Sequence, residues 1–345
     1  MSSLGSPSPL LFGAAKSYEI EKSLRFNSDD SAYLNKTWSG DDANLQKQTY
    51  SFWFKRGKSA QGYLFTAWNN SNTDRIGVLS DDQFFIELKN GGSTEAEFHS
   101  DKLLRDVGAW YHAVVAFDTT QSDADDRMKV WINGELITTW DTKNTISQNY
   151  SMEGFGRANK QHVIGAYASG SSSQSGHFDG YMTEFYFIDG QQLTASSFGE
   201  TNEKTGQWVP IKYTGTYGNK GWYIDFSDSS TFGKDYSGNS QDFTPANLSN
   251  TTGVGNDSLE DTPTNNFCVL NPNIGNGARS GAIASNGNLD LAGTDESTNR
   301  ATFVFGPGHI TSGKWYWEIT STGGANGQRI GLSGDLWGSQ GLNSV

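Results

Sequence analysis

Trp110-Tyr111-His112-Ala113-Val114-Val115-Ala116-Phe117-Asp118, followed after a polar loop by Met128-Lys129-Val130-Trp131-Ile132-Asn133-Gly134-Glu135-Leu136-Ile137-Thr138, is the stretch that decides the fold. In its first arm Tyr111, Ala113, Val115 and Phe117 alternate with His112, Val114 and Ala116, the period of two that sends successive side chains to opposite faces of a strand. Asn133-Gly134 then supplies a turn, because Asn and Gly accept the positive φ of a tight hairpin. Val130–Ile132 and Glu135–Ile137 are therefore expected to pair as antiparallel neighbours. Working outward, Tyr50–Arg56, Gly62–Trp68, Arg75–Leu79 and Phe84–Leu88 are short apolar or aromatic runs bounded by Asn, Asp or Gly. No long helical period interrupts them, so the chain reads as all-β.

Composition agrees and narrows the function classes. The 345 residues include 41 glycines and 13% aromatics, which suits short strands, frequent turns and thin sandwich cores. A net charge of −13 repels phosphate backbones and anionic head groups, so neither nucleic acid nor a membrane surface is expected as a partner. Membrane insertion is not expected either, because no run approaches the roughly 20 apolar residues of a span. The single cysteine, Cys268, permits no disulfide within the chain and reads as a small buried hydrophobe. Met1–Pro9 has no basic residue ahead of Leu10-Leu11-Phe12, an apolar run shorter than the roughly seven residues of a signal core, so no secretory leader is expected.

The hairpin resembles the centre of laminin-G-like, concanavalin-type lectin domains, where such a Trp-Tyr-His strand precedes a Val-Asn-Gly-type hairpin. Leu24–Leu34 resembles their opening motif and Tyr50–Arg56 their next strand. Phe178-Asp179-Gly180-Tyr181-Met182-Thr183-Glu184 resembles their last strand, and Leu193–Ser197 the segment that closes it. The resemblance implies a concanavalin-type jelly-roll sandwich over residues 19–204. Residues 1–18 read as an arm in which Leu10, Leu11 and Phe12 dock on a virion or a neighbouring subunit, or as a frayed tail. Residues 205–274 read as a strand-and-turn connector. Its phrases Asp235-Tyr236-Ser237-Gly238-Asn239 and Pro263-Thr264-Asn265-Asn266-Phe267 resemble linkers in tail and fibre proteins of marine bacteriophages. Residues 275–345 read as a partial β-sandwich, because Gly313-Lys314-Trp315-Tyr316-Trp317-Glu318 resembles the start of a SPRY domain. That module ends roughly 30 residues after Lys314, which reads as a fragment of a longer fibre or as a lobe completed by another subunit's strands.

Candidate chemistry is sparse. Asp123, Asp125 and Asp126 crowd one loop but lack the glycine and distal Glu of a calcium-binding helical loop, so a solvated acidic loop is expected. No cofactor is required, although the resemblance implies that Asp29, Asp30 and Asp179 are the candidates for a structural Ca²⁺, with Asp179 also suited to ordering the turn at Gly180. A glucanase of this fold class would carry a Glu-x-Asp-x-Glu strand with carboxylates at roughly 5 Å. Glu87, Glu95 and Glu97 are the nearest approach and lack the central Asp. His99, His112, His162, His177 and His309 form no metal-ligand pair by spacing. The chain therefore reads as non-enzymatic. For carbohydrate, where aromatic rings stack on sugar faces and amides bond hydroxyls, the candidates are Trp68, Asn69, Asn70 and Tyr167, with Trp68 also suited to the core.

These features together read as a bacteriophage virion structural protein, a tail fibre or tail-associated host-recognition protein with a lectin-like domain. Its expected partners are other virion proteins, further copies in a homotrimer, and a host surface glycan. A capsid decoration protein and a secreted bacterial carbohydrate-binding adhesin are the alternatives.

Overall fold

A computed structural model describes residues 18–293 and 302–304, apart from 59, 70–71, 171–173, 253–254, 268 and 272–281. Leu10, Leu11, Phe12, Asn70, Cys268 and the Lys314–Glu318 run lie outside the described residues. The chain begins with β1 (Ser23–Phe26), β2 (Tyr33–Lys36), β3 (Lys47–Arg56), β4 (Gly62–Asn69), β5 (Asn72–Val78), β6 (Gln83–Asn90) and β7 (Ser93–Leu103). Next come β8 (Trp110–Asp118), β9 (Met128–Ile132), β10 (Glu135–Leu136), β11 (Trp140–Asn144), β12 (Gln161–Ile164) and β13 (Gly180–Asp189). β14 (Gly199–Thr201), β15 (Trp208–Pro210), β16 (Trp222–Ile224), β17 (Thr244–Ala246) and β18 (Ser258–Leu259) follow. The last are β19 (Val269–Asn271), β20 (Ala282–Ser285), β21 (Asp290–Gly293) and β22 (Thr302–Val304).

Two eight-stranded antiparallel sheets make a jelly-roll sandwich. One runs β10-β9-β8-β3-β13-β1-β18 with β16 also on β13, and the other runs β11-β7-β6-β5-β4-β12-β2-β17. Their inner faces interdigitate through aromatics, with Tyr50 of β3 at 5.0 Å from Phe65 of β4 and 4.8 Å from Phe187 of β13. The expected hairpin forms: Glu135 pairs with Ile132 and Leu136 with Trp131 across Asn133 (φ 50) and Gly134 (φ 78). Tyr111, Ala113, Val115 and Phe117 join the inter-sheet core, as their alternation requires. The opposite face of β8 is buried too, because Val114 and Ala116 lie under Ala195, Phe198 and Tyr213.

The boundary at 204/205 separates no folding units. β16, β17 and β18 extend the two sheets, and Trp222, Ile224, Phe226, Phe232 and Phe243 are buried in the same inter-sheet core. The stretch from 205 reads as polar because its apolar residues come singly or in twos and threes, too short for a periodicity, yet β16, β17 and β18 each pair with a strand of the sandwich. β7 also escaped the sequence reading. Its run Ser93–Leu103 is mostly polar, and only Ala96, Phe98 and Ser100 are buried.

Candidate ligand-binding site

A β-bulge between Tyr63 and Phe65 of β4 sends Leu64 and Phe65 both into the core and Tyr63 out of the sandwich, and Arg75 of β5 stands beside Tyr63 on that outer face. Thr66, also outward, clamps the following segment there: its Oγ1 donates to the Ala166 carbonyl at 2.8 Å and accepts from the Ala168 N–H at 2.8 Å. This brings Tyr167 to 5.2 Å from Tyr63, the rings tilted by 54°. The Arg75 guanidinium lies 5.9 Å from the Tyr63 ring and 5.6 Å from the Tyr167 ring, a cation–π arrangement, and forms an ion pair with Glu87 of β6. Gln61 Nε2 donates to the Tyr63 hydroxyl at 3.0 Å. Gln61, Tyr63, Arg75, Tyr167, Ser175 and Gly176 thereby line an open cavity of about 270 Å³. A second cavity of about 220 Å³ adjoins it through Gln61 and is lined by Ser28, Arg56, Lys58, His177 and Asp179 among others.

Of the carbohydrate candidates, Tyr167 lines the first cavity. Trp68 is half-buried on the same face, packed with Val163, Ala166 and Ala168 and covered by the backbone at Gly170, so its ring serves packing. Asn69 ends β4, and its side chain lies outside the described residues. Tyr63, Arg75 and Gln61 were missed: Phe65 and Ala67 face the core, so a strict period of two turns Tyr63 inward with them, and only the bulge before Phe65 turns it out.

The three aspartates do not form one acidic cluster. Lys58 stands between two of them, its ammonium 3.2 Å from Asp29 and 3.4 Å from Asp179. The Asp179 carboxylate also accepts from the Ser28 hydroxyl at 3.0 Å and the Gly287 N–H at 3.2 Å. Asp30 turns instead to the Asn27 amide at 2.7 Å. Lys58 thus supplies the counter-charge for Asp29 and Asp179, and among the described residues no group of three or more His, Cys, Asp or Glu is placed to hold a metal. In the acidic loop Asp125 pairs with Lys143 at 2.5 Å and Asp126 with Lys129 at 3.0 Å.

Two constellations have a catalytic look. Ser51 Oγ lies 2.9 Å from His112 Nε2, but Trp208 Nε1–H donates to His112 Nδ1 at 3.0 Å. Nδ1 is thus the acceptor and Nε2 carries the proton, so the ring donates to Ser51 and cannot act as its base. Burial pushes the His112 pKa down to about 3, which keeps this neutral tautomer. Glu87 and Glu97 face each other across β6 and β7, yet Glu87 is held by Arg75 and Glu97 by His99 at 3.1 Å.

The chain matches known proteins over the sandwich. A laminin-G model of the concanavalin A-like lectin/glucanases superfamily matches residues 27–198. The chain is thus similar to laminin-G-like domains over those residues, just under half of its length. No curated protein matches the chain by sequence. Among solved structures, the heptameric SAP-like pentraxin from Limulus polyphemus is similar at 17% identity, over 52% of this chain and 80% of that one, with a TM-score of 0.38. Mouse laminin α1 domains LG4-5 are similar at 11% identity, over 63% and 52%, with a TM-score of 0.35. The CBM40 of the Ruminococcus gnavus IT-sialidase, bound to α2,3-sialyllactose, is similar at 15% identity, over 49% and 88%, with a TM-score of 0.30.

Proposed function

We propose that this chain is a non-enzymatic binding protein of a bacteriophage virion, a tail fibre or tail-associated host-recognition protein whose laminin-G-like domain holds a host-surface glycan. The observation that carries the binding role is the cavity between Tyr63, Tyr167 and Arg75. It combines aromatic rings for the apolar faces of a sugar with hydroxyl, amide and guanidinium groups for its hydroxyls. The Asp-Tyr-Ser-Gly-Asn and Pro-Thr-Asn-Asn-Phe phrases support the virion setting. Within it, residues 1–18 join other virion proteins and the chain assembles as a trimer. The locked tautomer of His112 and the ion-paired state of Glu87 support a role without catalysis.

Binding of labelled protein to host cells tests the reading. Tyr167→Ala is expected to lower it at least tenfold with the near-ultraviolet dichroism unchanged, and undiminished binding would remove the cavity from the function. Antibody labelling of particles should decorate the tail. Release of reducing ends from host polysaccharide, abolished in Glu87→Gln or Glu97→Gln, would replace the binding role with a hydrolytic one.

A further inference from the structure

We infer that the ligand is an uncharged oligosaccharide of at least two sugar units, laid across both cavities with Gln61 between them. This rests on the glycan reading above and specifies its chemistry. Every cation that lines the cavities already holds a carboxylate: Arg75 with Glu87, Arg56 with Asp82 at 2.6 Å, and Lys58 with Asp29 and Asp179 at 3.2 and 3.4 Å. His177 is kept neutral, since burial lowers its pKa. A uronate, sulfate or ammonium group would have to displace a resident partner from a part-buried pair, which leaves a charge uncompensated. For a polyanion the net charge of −13 adds repulsion at long range. Sugar hydroxyls face neither obstacle.

Size sets the length. At about 270 and 220 Å³ each cavity falls below the roughly 300 Å³ of pockets for drug-sized ligands, so each suits one sugar ring and the pair suits a disaccharide or longer.

Calorimetric titration of the full chain decides the matter, using gluco-, manno-, galacto- and xylo-oligosaccharides of one to six units and length-matched oligogalacturonates and sulfated galactans. Within one neutral series affinity should rise at least tenfold from one unit to three, and the length-matched charged oligomer should bind at least tenfold more weakly. His177→Ala should reduce the gain with length to less than threefold. A charged oligomer as the tightest ligand, or equal affinity for one unit and six, overturns the inference and leaves the glycan reading standing. Failure of every neutral and charged probe overturns both.

Discussion

At Glu184 the backbone of β13 turns to φ 53, and the carboxylate enters a nest of phenols, 2.9 Å from the Tyr18 hydroxyl, 2.7 Å from that of Tyr223 and bonded also by Tyr186. Burial raises its pKa to about 7, against the opposing effect of the three donors. A carboxyl with a raised folded pKa takes up a proton on folding. Its contribution is therefore full below the unfolded value of about 4.5 and is lost as pH rises through about 7. The melting temperature should fall by about 3 °C between pH 5 and 7, and Glu184→Gln should flatten that slope. An unchanged slope in the variant would assign the titration elsewhere. The sequence marks Glu184 only as part of a strand motif. Its phenols come from positions 18, 186 and 223, and only the fold makes them neighbours.

Elements were legible where apolar alternation ran long enough. The β9–β10 hairpin follows from Asn133-Gly134, and the structure adds why Gly is needed there: a Cβ on Gly134, at φ 78, would come within 2.3 Å of the Trp208 ring. Gly134→Ala should destabilise by about 2 kcal/mol or more in urea unfolding, since φ strain and the clash both oppose it. β16 is the opposite case, three residues without a readable period. Trp222 is nonetheless fully buried, 5.1 Å from Phe185 and 4.9 Å from Phe243. Trp222→Ala should cost about 3–5 kcal/mol, as for other large core truncations. A loss below 1 kcal/mol would mean that 205–267 is a loose connector after all.

For the whole molecule the Pro-Thr-Asn-Asn-Phe phrase is a clasp on the sandwich. Lys55, fully buried on β3, donates to Asp261 at 2.9 Å, Asn266 at 2.8 Å and the Phe267 carbonyl at 2.8 Å, while Trp110 Nε1 donates to Asp261 at 3.0 Å. Lys55→Met strands a buried carboxylate and should cost about 3–5 kcal/mol, with Lys55→Met/Asp261→Asn recovering much of the loss in denaturant titration. A chain cut after residue 204 should lack the cooperative unfolding transition that one cut after 267 retains, because β16 to β18 and their core residues would be missing. The sequence by itself determined the all-β class and the hairpin, because period-two alternation and turn chemistry are local properties of the chain, while its motifs carried the resemblance to laminin-G-like domains. Only the tertiary structure decided that 205–267 belongs to the sandwich, that Lys58 stands between Asp29 and Asp179, and that Tyr63, Arg75 and Tyr167 share one cavity. Each of those joins residues far apart in the chain, and sheet pairing sets their proximity.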